Sequence, residues 1–177
     1  MKRKLISVII PHYKRVDFTI RAISSVLQQK DIDLLDVEII VSSDGDISSE
    51  DRKIIISQSK YVKLINNTNE EGPGGNRQSG LKHATGEYVI FLDSDDQLTP
   101  NFISQMVTIL QHNREISAAI CMSKPFFENG FSLLHKLRLY PLMFVRDLSF
   151  SVSLIFNQGH LYPSAFYLCQ LSHMIFR

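Results

Sequence analysis

Along the first two thirds of the chain, short β-branched apolar runs alternate with stretches in which apolar residues recur every third or fourth position. Leu5–Ile10 predicts a buried strand, and Val16, Ile20, Ile23 and Leu27 then fall on one helical face, with Asp17 at the positive end of the helix dipole. Val37–Val41 predicts a second strand, Ser48–Ser57 a helix and Tyr61–Ile65 a third strand. A glycine-rich Glu71–Gly75 leads into a helix that runs through Ala84 and breaks at Thr85-Gly86. Glu87–Leu92 predicts a fourth strand. Thr99 is expected to cap a helix starting at Pro100, with Phe102, Ile103, Met106, Val107 and Leu110 on one face, and Ser117–Met122 is a fifth strand. Strand and helix in alternation predict an α/β fold with a mainly parallel sheet covered by helices.

The pattern changes near the end. Leu148–Phe176 holds no Asp, Glu, Lys or Arg. The stretch is long enough to span a bilayer, but Asn157-Gln158-Gly159-His160 and Pro163 interrupt it, so it reads as a strand, a turn and a helix that pack on something. An uncharged apolar tail seeks cover, which predicts self-association or attachment to a membrane surface. At the other end, Met1–Lys4 and Leu5–Ile10 imitate a signal peptide. The run stops at Pro11-His12, with Lys14 and Arg15 following and no small-residue cleavage site, so a strand is the better reading.

Composition narrows the classes. The 177 residues suffice for a hydrophobic core, and a net charge of +1 excludes binding of polyanions through bulk positive charge. Cys121 and Cys169 lie far apart without a Cys-x-x-Cys partner, which argues for two reduced thiols rather than a disulfide scaffold or zinc site.

Chemistry concentrates after the strands. His12-Tyr13-Lys14-Arg15, Ser43-Asp44-Gly45-Asp46 and Asp93-Ser94-Asp95-Asp96 follow the first, second and fourth strands. A parallel sheet binds ligands beyond the carboxyl ends of its strands, so the three clusters are expected along one edge. Adjacent carboxylates at Asp93, Asp95 and Asp96 repel one another and suggest a cation; oxygen-only ligands favour magnesium or manganese over zinc. Gly72–Gly80 fits neither the Rossmann pattern, having Arg77 where the third glycine belongs, nor the Walker pattern, having Leu81 where lysine belongs. It leaves a helix N-terminus with exposed N–H groups and Arg77 in its first turn, suited to a phosphate or an electron-rich base edge.

Taken in order, Ser7–Arg15, Asp44-Gly45, Gly75–Gly80 and Gly86–Asp96 resemble family 2 glycosyltransferases of the GT-A fold, over about residues 5–105. The resemblance implies a nucleotide-sugar donor, commonly a UDP-sugar, and an inverting transfer to a glycan or lipid-linked acceptor. By that likeness Pro11 and Tyr13 lie against base and ribose, and Asp44 accepts a hydrogen bond from the base. Arg77 contacts base or diphosphate, Asp93 touches the ribose, and Asp95 binds the Mn2+ or Mg2+ that bridges the diphosphate. The chain departs from the family where Lys14, Ser43 and Asp46 stand; the family often has Asn at the first of these.

The family's general base is a carboxylate far downstream of the D-x-D motif. Here the later acids are Glu115, Glu128 and Asp147; Glu115 ends a helix and Glu128 sits in a turn, leaving Asp147 as the candidate base. Leu161–Phe166 resembles the segment that precedes the family's base. One domain, 1–177, is expected, with 1–122 as the nucleotide-sugar-binding half and 123–177 as a partial acceptor-side half, in the cytoplasm or peripheral at the inner membrane face. Two alternatives stand beside this reading. One is a nucleotide-sugar-binding module without turnover. The other is a nucleotidyltransferase, which would want a glycine-rich loop where His12–Arg15 stands.

Overall fold

The computed structural model describes residues 6–120 and 174–176. β1 (Ile6–His12), β2 (Val37–Ser43), β3 (Val62–Asn66) and β4 (Tyr88–Phe91) alternate with α1 (Val16–Leu27), α2 (Ser49–Ser57) and α3 (Pro73–Leu81); α4 (Phe102–His112), β5 (Ala118–Ile120) and β6 (Met174–Phe176) follow. The sheet runs β3-β2-β1-β4-β6-β5. The first four strands are parallel, and the chain steps outward from β1 to β3 before returning to β1's other side at β4. That reversal opens a crevice beyond the carboxyl ends of β1 and β4.

Both sheet faces are covered, which is why β1 and β2 read as unbroken apolar runs rather than alternating ones. Ile6, Val8 and Ile10 join Val37, Ile39 and Val41 in a core shared with Ala22, Ile23 and Val26 of α1, Ile55 of α2, and Phe102, Ile103 and Leu110 of α4. The opposite pleat carries a smaller cluster of Ile9, Ile40 and Ile65. There α3 lies close, because the face it turns inward is Ser79 and Gly80.

The sheet is mainly parallel, as expected, and β6 inserts antiparallel between β4 and β5, with Ile175 opposite both Ile90 and Ala119. Two expectations are corrected. Met174–Phe176 is a strand, not the end of the helix that the uncharged tail predicts; three apolar residues without charge suit a sheet interior equally well. The rest of that tail lies outside the described residues, and among those described no helix is long and apolar enough to cross a membrane. Secondly, α4 starts at Phe102, not Pro100, and the side chain of Thr99 does not cap it. Residues 99–102 form a turn, with the Phe102 N–H donating to the Thr99 carbonyl at 3.0 Å, and the helix cap comes from elsewhere in the fold. α2 behaves as read: the Ser48 hydroxyl accepts from the Asp51 N–H at 3.0 Å.

One local feature explains a departure noted above. Lys14 has φ 60, in the left-handed region that asparagine enters more readily than lysine. Its ammonium lies 4.7 Å from the centre of the Tyr13 ring, an exposed cation–π contact that offsets part of the backbone cost.

Candidate active site

The clusters after β1, β2 and β4 do converge. Pro11, Tyr13, Asp44, Arg77, Asp93 and Asp95 all line one cleft of about 690 Å³ at the sheet's carboxyl edge. The volume falls in the range of pockets that enclose a small ligand. Tyr13 is 57% exposed at the cleft, which leaves a ring face free for stacking.

The turn after β2 is joined to the start of α3 through one carboxylate. Asp44 Oδ2 accepts from the Gly72 N–H at 2.6 Å and Oδ1 accepts from Asn67 Nδ2 at 3.0 Å. Gly72 has φ 111, a conformation that side-chain-bearing residues avoid, so glycine there lets the N–H face Asp44. Each carboxylate oxygen keeps a second acceptor site for a ligand. The Asp44 N–H and Asn76 Nδ2 both donate to the His12 carbonyl, at 2.9 and 3.3 Å, fastening β1, β2 and α3 together at the cleft floor.

Across the cleft, Arg77 Nη2 donates to Asp93 Oδ1. This pairing neutralises the first carboxylate of the acidic turn, which the Asp96 N–H closes by donating to the Asp93 carbonyl at 3.0 Å. Asp95 is different. It is exposed, lines the cleft and has no ion-pair or hydrogen-bond partner among the described residues. No group of three or more His, Cys, Asp or Glu side chains converges on a metal position among the described residues. An unpaired, open carboxylate fits a hard divalent cation whose remaining oxygen ligands come from a diphosphate and water, and does not fit a cation caged wholly by protein.

Arg15, from the cluster expected at this edge, lines the cleft too, as do Asn76 and Phe18, to which the sequence assigned no role. Asn76 is 2% exposed, and its Oδ1 is buried with no partner among the described residues, as is Arg77 Nε. Adjacency to Arg77 in the first turn of α3 was the available signal. Phe18 lies one turn beyond Arg15, whose guanidinium stacks 3.5 Å from the ring centre. Asp147 lies outside the described residues.

His12 is 2% exposed and bonds through Nδ1 to Thr19 Oγ1 at 2.8 Å. Since the Thr19 hydroxyl donates to the Arg15 carbonyl, the network assigns the proton to Nδ1 of a neutral ring. Burial holds its pKa below the usual 6.5, with Asp51 acting weakly in the other direction. The unfolded chain therefore takes up a proton before the folded one. Stability is expected to be whole above pH 6.5 and to fall as the pH drops from there through the folded-state pKa, below which the loss levels off. Melting temperatures from about pH 7.5 to 5.5 check this, with a shallower slope expected for His12→Asn.

The parallel α/β sheet with a polar cleft at its switch point is the architecture of GT-A glycosyltransferases. Solved structures of that kind superpose on this chain. The Pyrobaculum calidifontis mannosyltransferase in complex with GDP-Man and Mn2+ matches with TM-score 0.60 at 20% identity, over 71% of this chain and 37% of that one. S. aureus TarS 1–349 in complex with UDP-GlcNAc matches with TM-score 0.60 at 25% identity, over 72% and 37%. The Glycosyl transferase family 2 pattern matches residues 7–165, so the chain belongs to that family of enzymes. The Campylobacter jejuni GalNAc(5)-diNAcBac-PP-undecaprenol beta-1,3-glucosyltransferase is 36% identical over 107 residues, 58% of this chain and 33% of that protein. The Escherichia coli UDP-Glc:alpha-D-GlcNAc-diphosphoundecaprenol beta-1,3-glucosyltransferase WfgD is 30% identical over 109 residues, 62% of this chain and 42% of that protein. The match thus covers between a third and somewhat over two fifths of the length of these relatives.

Proposed function

We propose that this protein binds a UDP-sugar with Mn2+ or Mg2+ and passes the sugar, with inversion, to a glycan or lipid-linked acceptor. One observation carries the reading: six residues from four separate segments meet around one cleft, with a neutralised carboxylate and an open one side by side. Tyr13 and Pro11 stack against uracil and ribose. Asp44, oriented by Gly72 and Asn67, accepts from the imide N–H of the base. Arg77 reaches the base or the diphosphate with the guanidinium N–H groups that Asp93 leaves over, and Asp93 accepts from a ribose hydroxyl. Asp95 holds the cation. When bound, that cation supplies Lewis-acid neutralisation of the charge on the departing diphosphate. Asp147 is proposed as the base that takes the acceptor's proton, residues 1–122 as the donor-binding half and 123–177 as part of the acceptor side. The two relatives whose names specify diphosphoundecaprenol acceptors support a lipid-linked acceptor and a place at the membrane surface.

Calorimetry with UDP, with and without Mn2+, tests the donor site; the expected result is binding that strengthens at least tenfold with the metal. Metal-indifferent or absent binding overturns the reading. A transfer assay with UDP-glucose then separates a transferase from a module that binds without turnover, which the chain's partial coverage of its relatives keeps as the second reading.

A further inference from the structure

The acidic turn is a short span held at both ends. On one side the Leu92 N–H donates to the Ile9 carbonyl at 3.0 Å, tying the end of β4 to the central strand. On the other, the Leu98 N–H donates to Ser25 Oγ at 3.1 Å, so residues 93–97 bridge two buried anchors. Ser25 belongs to α1, and its neighbour one turn on, Gln29, grips the next residues. Gln29 Nε2 donates to the Thr99 carbonyl at 2.7 Å, and Oε1 accepts from the Ile103 N–H at 2.9 Å. The Lys30 N–H donates to the Pro100 carbonyl at 2.7 Å.

Gln29 is a polar side chain only 8% exposed, with both ends of its amide used: Nε2 donates to the Ser25 and Thr99 carbonyls and Oε1 accepts from the Ile103 N–H. α4 has no side-chain cap of its own at Asn101, so Gln29, in the segment just after α1, caps it. Buried amides held from both ends fix position more strongly than a single contact, because breaking either bond strands a buried group. Neither of the two anchoring side chains, Gln29 and Ser25, lines the cleft.

We propose that Gln29, supported by Ser25, is a positioning residue for the cation: it sets the anchor from which the acidic turn presents Asp95. This rests on the donor-site reading above. Asp95 itself has no partner among the described residues, so its placement depends on the backbone that carries it, and that backbone is tied to β1 through Leu92 and to Ser25 and Gln29 through Leu98 and Thr99. A misplacement of about 1 Å in a supporting group is enough to cost a large factor in function.

The test uses the full 177-residue chain. Gln29→Met keeps the length and apolar bulk of the side chain and removes its donor and acceptor. Gln29→Glu keeps an acceptor for Ile103 and loses the donor for Thr99. For each, Mn2+ is titrated at fixed UDP, and UDP affinity is measured separately without metal. The expected result is about a tenfold rise in half-saturating Mn2+ for Gln29→Met, a smaller rise for Gln29→Glu, and metal-free UDP affinity within about twofold of wild type. Ser48→Ala, which removes the cap of α2 away from this turn, serves as a control for lost stability and leaves both constants in place. Equal loss of metal-dependent and metal-free binding in both Gln29 variants overturns the inference, as do unchanged Mn2+ titrations or a matching effect from Ser48→Ala. If Gln29→Met does not fold, Gln29→Glu decides by the same criteria. Wild-type protein that shows no Mn2+-dependent UDP binding overturns the donor-site reading itself, and this inference with it.

Discussion

Asp95→Ala is expected to reduce Mn2+-dependent UDP binding and sugar transfer by at least about 100-fold while leaving the melting temperature unchanged or slightly higher. The two halves of that expectation come from the same geometry. Asp95 is exposed and has no partner among the described residues, so its removal breaks no native bond; it also relieves repulsion within a turn that holds Asp93 and Asp96. A carboxylate that has no partner among the described residues and lines the cleft is available for a ligand. Asp93→Ala is the instructive comparison: it strands the Arg77 guanidinium that Asp93 neutralises, so it should lower stability as well as binding. Calorimetry and thermal melts on the two variants read this directly. An Asp95→Ala protein that binds UDP and Mn2+ like wild type would sink the assignment.

Gly80→Ala should be among the most damaging single-methyl additions in the fold. A Cβ at Gly80 would lie 2.4 Å from Cγ2 of Ile9, far inside van der Waals contact. Ile9 is fully buried and β-branched, so it cannot swing aside, and the helix must move instead. Overpacking of this kind costs about 1–3 kcal/mol. The consequence reaches the cleft, because α3 also carries Asn76 and Arg77; nucleotide affinity should fall together with stability. The check is a double-mutant cycle with Ile9→Ala, which removes the opposing methyl. Strong favourable coupling, with the double variant more stable than the sum of the singles implies, is expected. Additive losses would show that the close approach is not what makes Gly80 necessary.

Much of this was readable without coordinates because it depends on local chemistry. The apolar runs of β1 and β2, the amphipathic faces of α1 and α4, and the polar clusters behind three strands follow from periodicity and composition. The rule that parallel sheets bind ligands at their carboxyl edge then brought Tyr13, Asp44, Asp93 and Asp95 to one cleft. Thr99 misled because a threonine before a proline has the same sequence signature whether its side chain caps a helix or its carbonyl closes a turn. The difference lay in Gln29, some seventy positions away.

What the amino-acid order alone determined here is the alternation of strand and helix, the family and most of the polar residues that line the cleft, since each is a property of a few neighbouring side chains. Tertiary structure alone decided which carboxylates are already spoken for: Asp44 by Gly72 and Asn67, Asp93 by Arg77, and Asp95 by none of the described residues. It also placed Met174–Phe176 between β4 and β5. Three adjacent aspartates look alike in a sequence, and a short apolar segment fits many places; only the partners brought in from distant segments separate their electrostatic roles and fix their neighbours.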